Sequence, residues 1–148
     1  MIQRIQTLYL LVTGILMSIA LFLPLLTFQT GGMVYEMDAR QLSGQEETVS
    51  TIGLFIVGIL SALTALIAIF FYKKRVLQVK LTRLSTILAL LFIAYAIYLG
   101  FDFSTQLNAQ WHPGITAALP VISVILNCLA IKGIKADEAL VRSLDRLR

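Results

Sequence analysis

Asp102 and His112 are the residues of this sequence that come nearest to a chemical pair. A carboxylate and an imidazole could share a proton if the short segment between them turned back on itself. Two residues do not make a catalytic set, however, and Asp102 falls at the end of an apolar stretch, where water can solvate it. No nucleophile stands near a base, no ligand spacing suits a metal, and no glycine-rich loop could cradle phosphate. A single cysteine, Cys128, rules out an intramolecular disulfide and any thiol relay to a quinone. A single histidine likewise rules out a bis-histidine haem held between helices. The expectation is therefore a protein without catalytic residues, cofactor or metal.

Three polar residues lie deeper in apolar surroundings: Ser61, Tyr95 and Asn127. Counting 1.5 Å per helical residue, Ser61 and Tyr95 each come about 16 Å from the nearer basic end. The Tyr95 hydroxyl is expected to meet Ser61 or Thr64, because an unpaired hydroxyl in hydrocarbon is costly. Asn127 shares its depth with Tyr9 and Thr86, either of which could bond it. Such contacts join helices and contribute roughly 0.6–2 kcal/mol each, and this role is preferred over a ligand site.

The elements that must position these residues are four stretches without charge, residues 5–35, 48–72, 84–101 and 103–131. About 20 mostly apolar residues suffice for a helix to cross a bilayer. Only 14% of the chain is charged and 58% is hydrophobic, whereas soluble domains run near one quarter charged. The 148 residues leave room for one membrane domain, 1–148, with helices at about 5–28, 51–72, 80–103 and 113–132. An outer loop, 29–50, and a tail, 133–148, complete it. The first apolar run is too long for a signal peptide and lacks a small-residue cleavage site, so it is read as a retained span.

Of the twelve Lys and Arg residues, eleven would share one side of the membrane; Arg40 alone lies opposite. The positive-inside rule makes that side cytoplasmic, with both termini on it. This placement also accounts for the net charge of +4 without nucleic acid, for which no basic stripe interleaved with aromatics is present. The fold class is all-α, an up-down-up-down bundle of four transmembrane helices.

In the outer loop, Gly31-Gly32 separates residues 27–30 from 33–37, and the second run alternates with period two. That pattern predicts a small β-hairpin, with an unstructured loop as the alternative. Ser50 or Thr51 is placed to cap helix two. Along that helix Gly58, Ser61, Ala62, Ala65 and Ala68 form a small face suited to close packing. Pro120 is expected to kink helix four, which would begin at Pro113. In the tail, Leu140, Val141, Leu144 and Leu147 alternate with Arg142, Arg146 and Arg148 as in an amphipathic basic helix, either continuous with helix four or bent at Gly133.

The two ends of the chain carry a resemblance. The opening Met1-Ile-Gln-Arg-Ile-Gln-Thr-Leu-Tyr-Leu-Leu and the closing Lys135-Ala-Asp-Glu-Ala-Leu-Val-Arg-Ser-Leu-Asp-Arg-Leu-Arg148 resemble an uncharacterised family of small four-helix membrane proteins of Bacteroidota. The resemblance implies the inner membrane of a Gram-negative cell and brings no activity or cofactor. The functional expectation is a non-enzymatic accessory subunit or adaptor. Its partners would be membrane lipids and another membrane protein, reached through the tail or the outer hairpin. Lys135, Arg142, Arg146 and Arg148 are the candidate partner or headgroup contacts. The competing expectation is a lipid- or small-molecule-binding protein, with a cavity near Asn127 or under the hairpin, or a subunit of an oligomeric transporter. For a transporter, a membrane-embedded charge is missing from the sequence.

Overall fold

Pro24 decides where the first helix stops. Proline disfavours helical geometry at the residue before it and cannot donate an N–H, so α1 (Ile2–Ala20) closes before reaching it. The N–H groups of Leu21 and Phe22 fold back onto the carbonyls of Ser18 and Ile19 at 3.3 and 3.1 Å. This is a correction, since the first helix was expected to run to about residue 28. The computed structural model describes residues 2–44 and 48–145.

Beyond Pro24 the chain becomes a strand. In β1 (Leu26–Thr30) Leu26 and Phe28 are buried while Thr27 and Gln29 turn outward, a period of two. Gly31 and Gly32 both have positive φ, 53° and 86°, as a two-residue hairpin turn demands. They return the chain into β2 (Met33–Met37), so the hairpin is present as expected. The sheet is larger than that hairpin. β3 (Gln41–Ser43) and β4 (Thr48–Ser50) extend it on one side, and β5 (Gln110–Pro113), from the second connection, pairs with β1 on the other. The order is β4-β3-β2-β1-β5, antiparallel throughout. Asp38 shapes the turn between β2 and β3 by accepting the N–H groups of Arg40 and Gln41 at 2.7 and 2.8 Å.

α2 (Ile52–Phe70) follows, with Thr51 at its start. The Thr51 hydroxyl does not cap the helix as expected; it donates to the Asp38 carbonyl at 3.2 Å and ties the helix to the sheet. α3 (Arg75–Leu107) begins earlier than residue 80 and takes in most of the basic connection. Asn108, with φ of 48°, ends it in the left-handed cap conformation. Pro113 ends the edge strand β5 and does not open a helix. A short 3-10 turn (Ile115–Ala117) leads into α4 (Ala118–Asp145). Pro120 therefore sits in the first turn, where a missing N–H loses no helical bond, and not in the helix interior. α4 continues through Gly133, so the described part of the tail belongs to it.

Each helix packs on two neighbours, α1 and α3 on both α2 and α4. Three helices are long and apolar enough to cross a membrane: Ile52–Phe70, Arg75–Leu107 and Ile115–Ser143, while Ile5–Ala20 in α1 is a shorter apolar helix. At 1.5 Å per residue α3 reaches about 50 Å and α4 about 42 Å, well beyond a 30 Å hydrocarbon layer.

The small face of α2 is buried as expected: Gly58, Ser61, Ala62, Ala65 and Ala68 all lie inside. A Cβ on Gly58 would meet Leu21 at 2.4 Å and Phe92 at 2.9 Å; one on Gly14 would meet Leu66 at 2.5 Å. The outward faces carry the large apolar residues instead, among them Leu8, Ile15, Ile56, Leu63, Ile87 and Leu90. Small and polar inside with large and apolar outside is an arrangement that suits a hydrocarbon solvent. Gly58→Leu should lower stability by about 1–3 kcal/mol through overpacking, whereas the outward Leu63→Ala should change it by less than ~0.5 kcal/mol. Thermal unfolding in mild detergent measures both.

Candidate functional site

Polar residues inside the helices gather into one seam. Ser61 on α2 donates its hydroxyl to the Ser85 carbonyl at 3.1 Å, and Ser85 on α3 donates back to the Ser61 carbonyl at 3.0 Å. The Asn127 side-chain amide on α4 donates to the Ser85 hydroxyl oxygen at 3.1 Å. Three helices are thus joined at one level. Thr13, Thr82, Ser123, Gln78 and Gln6 extend the seam and are also buried. Thr82 satisfies its hydroxyl on the Gln78 carbonyl at 2.9 Å. Gln6 Nε2, Thr13 Oγ1, Ser123 Oγ and Asn127 Oδ1 are buried and make no hydrogen bond within the described residues.

Of the three polar residues singled out from the sequence, the structure brings together Ser61 and Asn127 and leaves Tyr95 apart. Tyr95 is exposed and stacks on Tyr98 with ring centres 6.4 Å apart. A Cβ on Gly53, in the first turn of α2, would lie 3.1 Å from its hydroxyl. The expected bond to Ser61 or Thr64 is absent; Thr64 bonds the carbonyls of Leu60 and Ser61 in its own helix. Depth counted from Arg83, the last basic residue of α3, misplaced Tyr95, because α3 starts well before that charge and Ser85 stands level with Ser61. Asn127 meets neither Tyr9 nor Thr86, whose hydroxyl goes to the Thr82 carbonyl. Gln78, Thr82 and Ser85 were legible at spacings of four and three, which put them on one helical face, as were Ser123 and Asn127.

Asp102 and His112 do not pair. Asp102 accepts from Gln106 at 2.9 Å, and His112 lies in β5 opposite Thr27. Among the described residues no group of three or more His, Cys, Asp or Glu could hold a metal ion.

Two concavities lie at opposite ends. Near the sheet an apolar cleft of about 280 Å³ opens between α3 and α4, lined by Phe92, Ala96, Trp111, Pro113, Pro120 and neighbours. At the other end a groove of about 740 Å³ runs between the α2–α3 turn and α4, lined by Tyr72, Lys73, Lys74, Arg75, Lys80, Glu138 and neighbours. Arg75 bridges to Asp137 at 3.1 Å and so holds α3 against α4. Glu138 pairs with Arg142 at 2.7 Å, four residues further along the same helix. Lys135 is exposed on α4; Arg146 and Arg148 lie outside the described residues.

Helices long and apolar enough to cross a membrane, with an apolar exterior around a polar seam, are the make-up of a membrane protein. The model of the family described as a domain of unknown function (DUF4293) matches residues 2–147, and the chain belongs to that family. No curated protein and no solved structure matches the chain.

Ser85→Ala strands the Asn127 amide, at a cost of about 1–3 kcal/mol, while the Ser61 carbonyl keeps the Thr64 hydroxyl. Asn127→Leu leaves the serine pair whole and removes an orphaned oxygen, so its cost should stay below ~1 kcal/mol. Unfolding of both variants in the same detergent checks that order.

Proposed function

We propose that this chain is a non-enzymatic integral membrane protein that serves as an accessory subunit or adaptor of a membrane complex. In this reading all four helices cross the inner membrane of a Gram-negative cell as an up-down-up-down bundle. The basic end and both termini face the cytoplasm, because eleven of twelve Lys and Arg residues cluster there. The observation that carries the adaptor role is the length of α3 and α4. Both run past their charge-free stretches, and the Arg75–Asp137 bridge holds them side by side. The extension presents an exposed Leu140 (52% accessible) beside Ala136, with Lys135 on the same helix. Its charge fits an acidic amphipathic helix of a partner membrane protein, laid along α4.

Binding of a lipid or small molecule is the second reading, and the apolar cleft beneath Trp111 and Pro113 favours it.

Leu140→Asp with Lys135→Glu tests the adaptor role while leaving Arg75 and Asp137 intact. Affinity purification in mild detergent should recover one stoichiometric membrane partner with the wild-type chain and lose it with the double variant. A partner retained by the variant, or a wild-type chain that purifies alone, contradicts the reading.

A further inference from the structure

The basic groove holds more positive charge than its own carboxylates neutralise. Of its four lining cations, Arg75 is taken by Asp137, and the one lining carboxylate, Glu138, is taken by Arg142. Lys73, Lys74 and Lys80 are exposed and form no ion pair among the described residues. The Lys73 ammonium lies 5.9 Å from the Tyr72 ring centre, which leaves its charge unneutralised. The surplus is thus three charges in a concave site and not on a flat face.

The surroundings of that charge are apolar. Phe70, one turn away at the end of α2, is 80% accessible, and Val76 in the first turn of α3 is 57% accessible. Depth also fits. The Ser61–Ser85 pairing sets α2 and α3 in antiparallel register, so Phe70 stands level with Val76. On that register Lys74 lies about 3 Å outside Val76 and Lys80 about 6 Å inside it, a span of about 9 Å at 1.5 Å per residue, and a lysine stem can lift its ammonium back toward the interface. The polar layer of a bilayer leaflet is of similar thickness, roughly 5–8 Å. The groove therefore opens where lipid phosphates lie, with exposed rings and branched side chains beside the first acyl carbons.

We propose that this groove binds the headgroup of an anionic glycerophospholipid. The phosphate sits among Lys73, Lys74 and Lys80, and the acyl chains descend past Phe70 and Val76. The proposal rests on the membrane placement given above and not on the adaptor role, because Leu140 lies on a different face of α4 from the groove-lining Glu138 and Val141. It adds a ligand class and a set of residues distinct from the tail residues Lys135 and Arg142.

The test reconstitutes the full chain in phosphatidylcholine nanodiscs with a minor fraction of phosphatidylglycerol. The lipid retained after detergent extraction is then counted by native mass spectrometry. Wild-type protein should retain phosphatidylglycerol preferentially. The variant Lys73→Gln/Lys74→Gln/Lys80→Gln should lose about tenfold or more of that preference, because the phosphate loses all three ammonium groups that would surround it. The matched variant Arg83→Gln/Lys132→Gln/Lys135→Gln removes as many charges outside the groove and should keep it. Excess inorganic phosphate should not displace the lipid. Unchanged preference in the groove variant, equal loss in both variants, or displacement by phosphate overturns the proposal. Carbonate washing of membranes separates the two claims: a chain that washes off fails the membrane placement itself, while one that stays and shows no preference fails the groove alone.

Discussion

The reciprocal bonds between Ser61 and Ser85 are the contact on which the rest of the arrangement depends. Each serine reaches the other helix's backbone carbonyl, and this requires the two helices to approach closely. Gly58, Ala62, Ala65 and Ala68 permit that approach because none carries a side chain longer than a methyl. In hydrocarbon no hydrophobic force drives helices together, so packing and such hydrogen bonds must supply the attraction. Asn127 adds α4 to the same point, and α1 closes the ring through Gly14 against Leu66 and Gln6 against Gly133. With that level set, the positions of both helix ends follow, and so does the placement of the basic groove.

The sheet performs the corresponding task at the opposite end. It takes strands from both connections on that side, so the α1–α2 and α3–α4 links are tied to one another through β1 and β5. Phe28 anchors it against Phe103 with ring centres 6.3 Å apart. Thr116 donates its hydroxyl to the Pro24 carbonyl, a further link between the two connections. Arg40, the one Lys or Arg at this end among the described residues, lies over the rings of Phe22 and Phe55 at 4.5 and 5.0 Å. Its charge rests on aromatic faces and joins the end of α1 to the start of α2. One end is thus closed by the sheet, and at the other α4 runs on past the α2–α3 turn.

Much of this was legible before any coordinates. The small face of α2, the turn at Gly31-Gly32 and the Glu138–Arg142 pair follow from spacing alone, because each is a local pattern. Three errors share one cause, which is that a run without charge was taken as the length of a helix. Pro24 stops α1 early, α3 continues back through Lys80 to Arg75, and Pro113 belongs to a strand formed with residues 81 to 87 positions away. The partners of Tyr95 and Asn127 failed for the same reason, since depth counted from the nearest charge ignores where the helix begins. Other seam residues, such as Thr13, are isolated polar positions in apolar helices. Only the packing of four helices shows that they face inward.

The central claim is that the chain crosses the membrane four times with its basic end on one side, and α1, whose apolar part (Ile5–Ala20) is shorter than the other three spans, is where that claim is most exposed. Cys128→Ser provides a background for single cysteines placed at Gln3, Val34, Lys73 and Ala139. Labelling with a membrane-impermeant maleimide on intact and inverted vesicles measures the sidedness of each. Positions 3, 73 and 139 should react from the cytoplasmic face and position 34 from the opposite face. Reaction of position 3 from the same side as position 34 would mean that α1 does not cross, and would contradict the account.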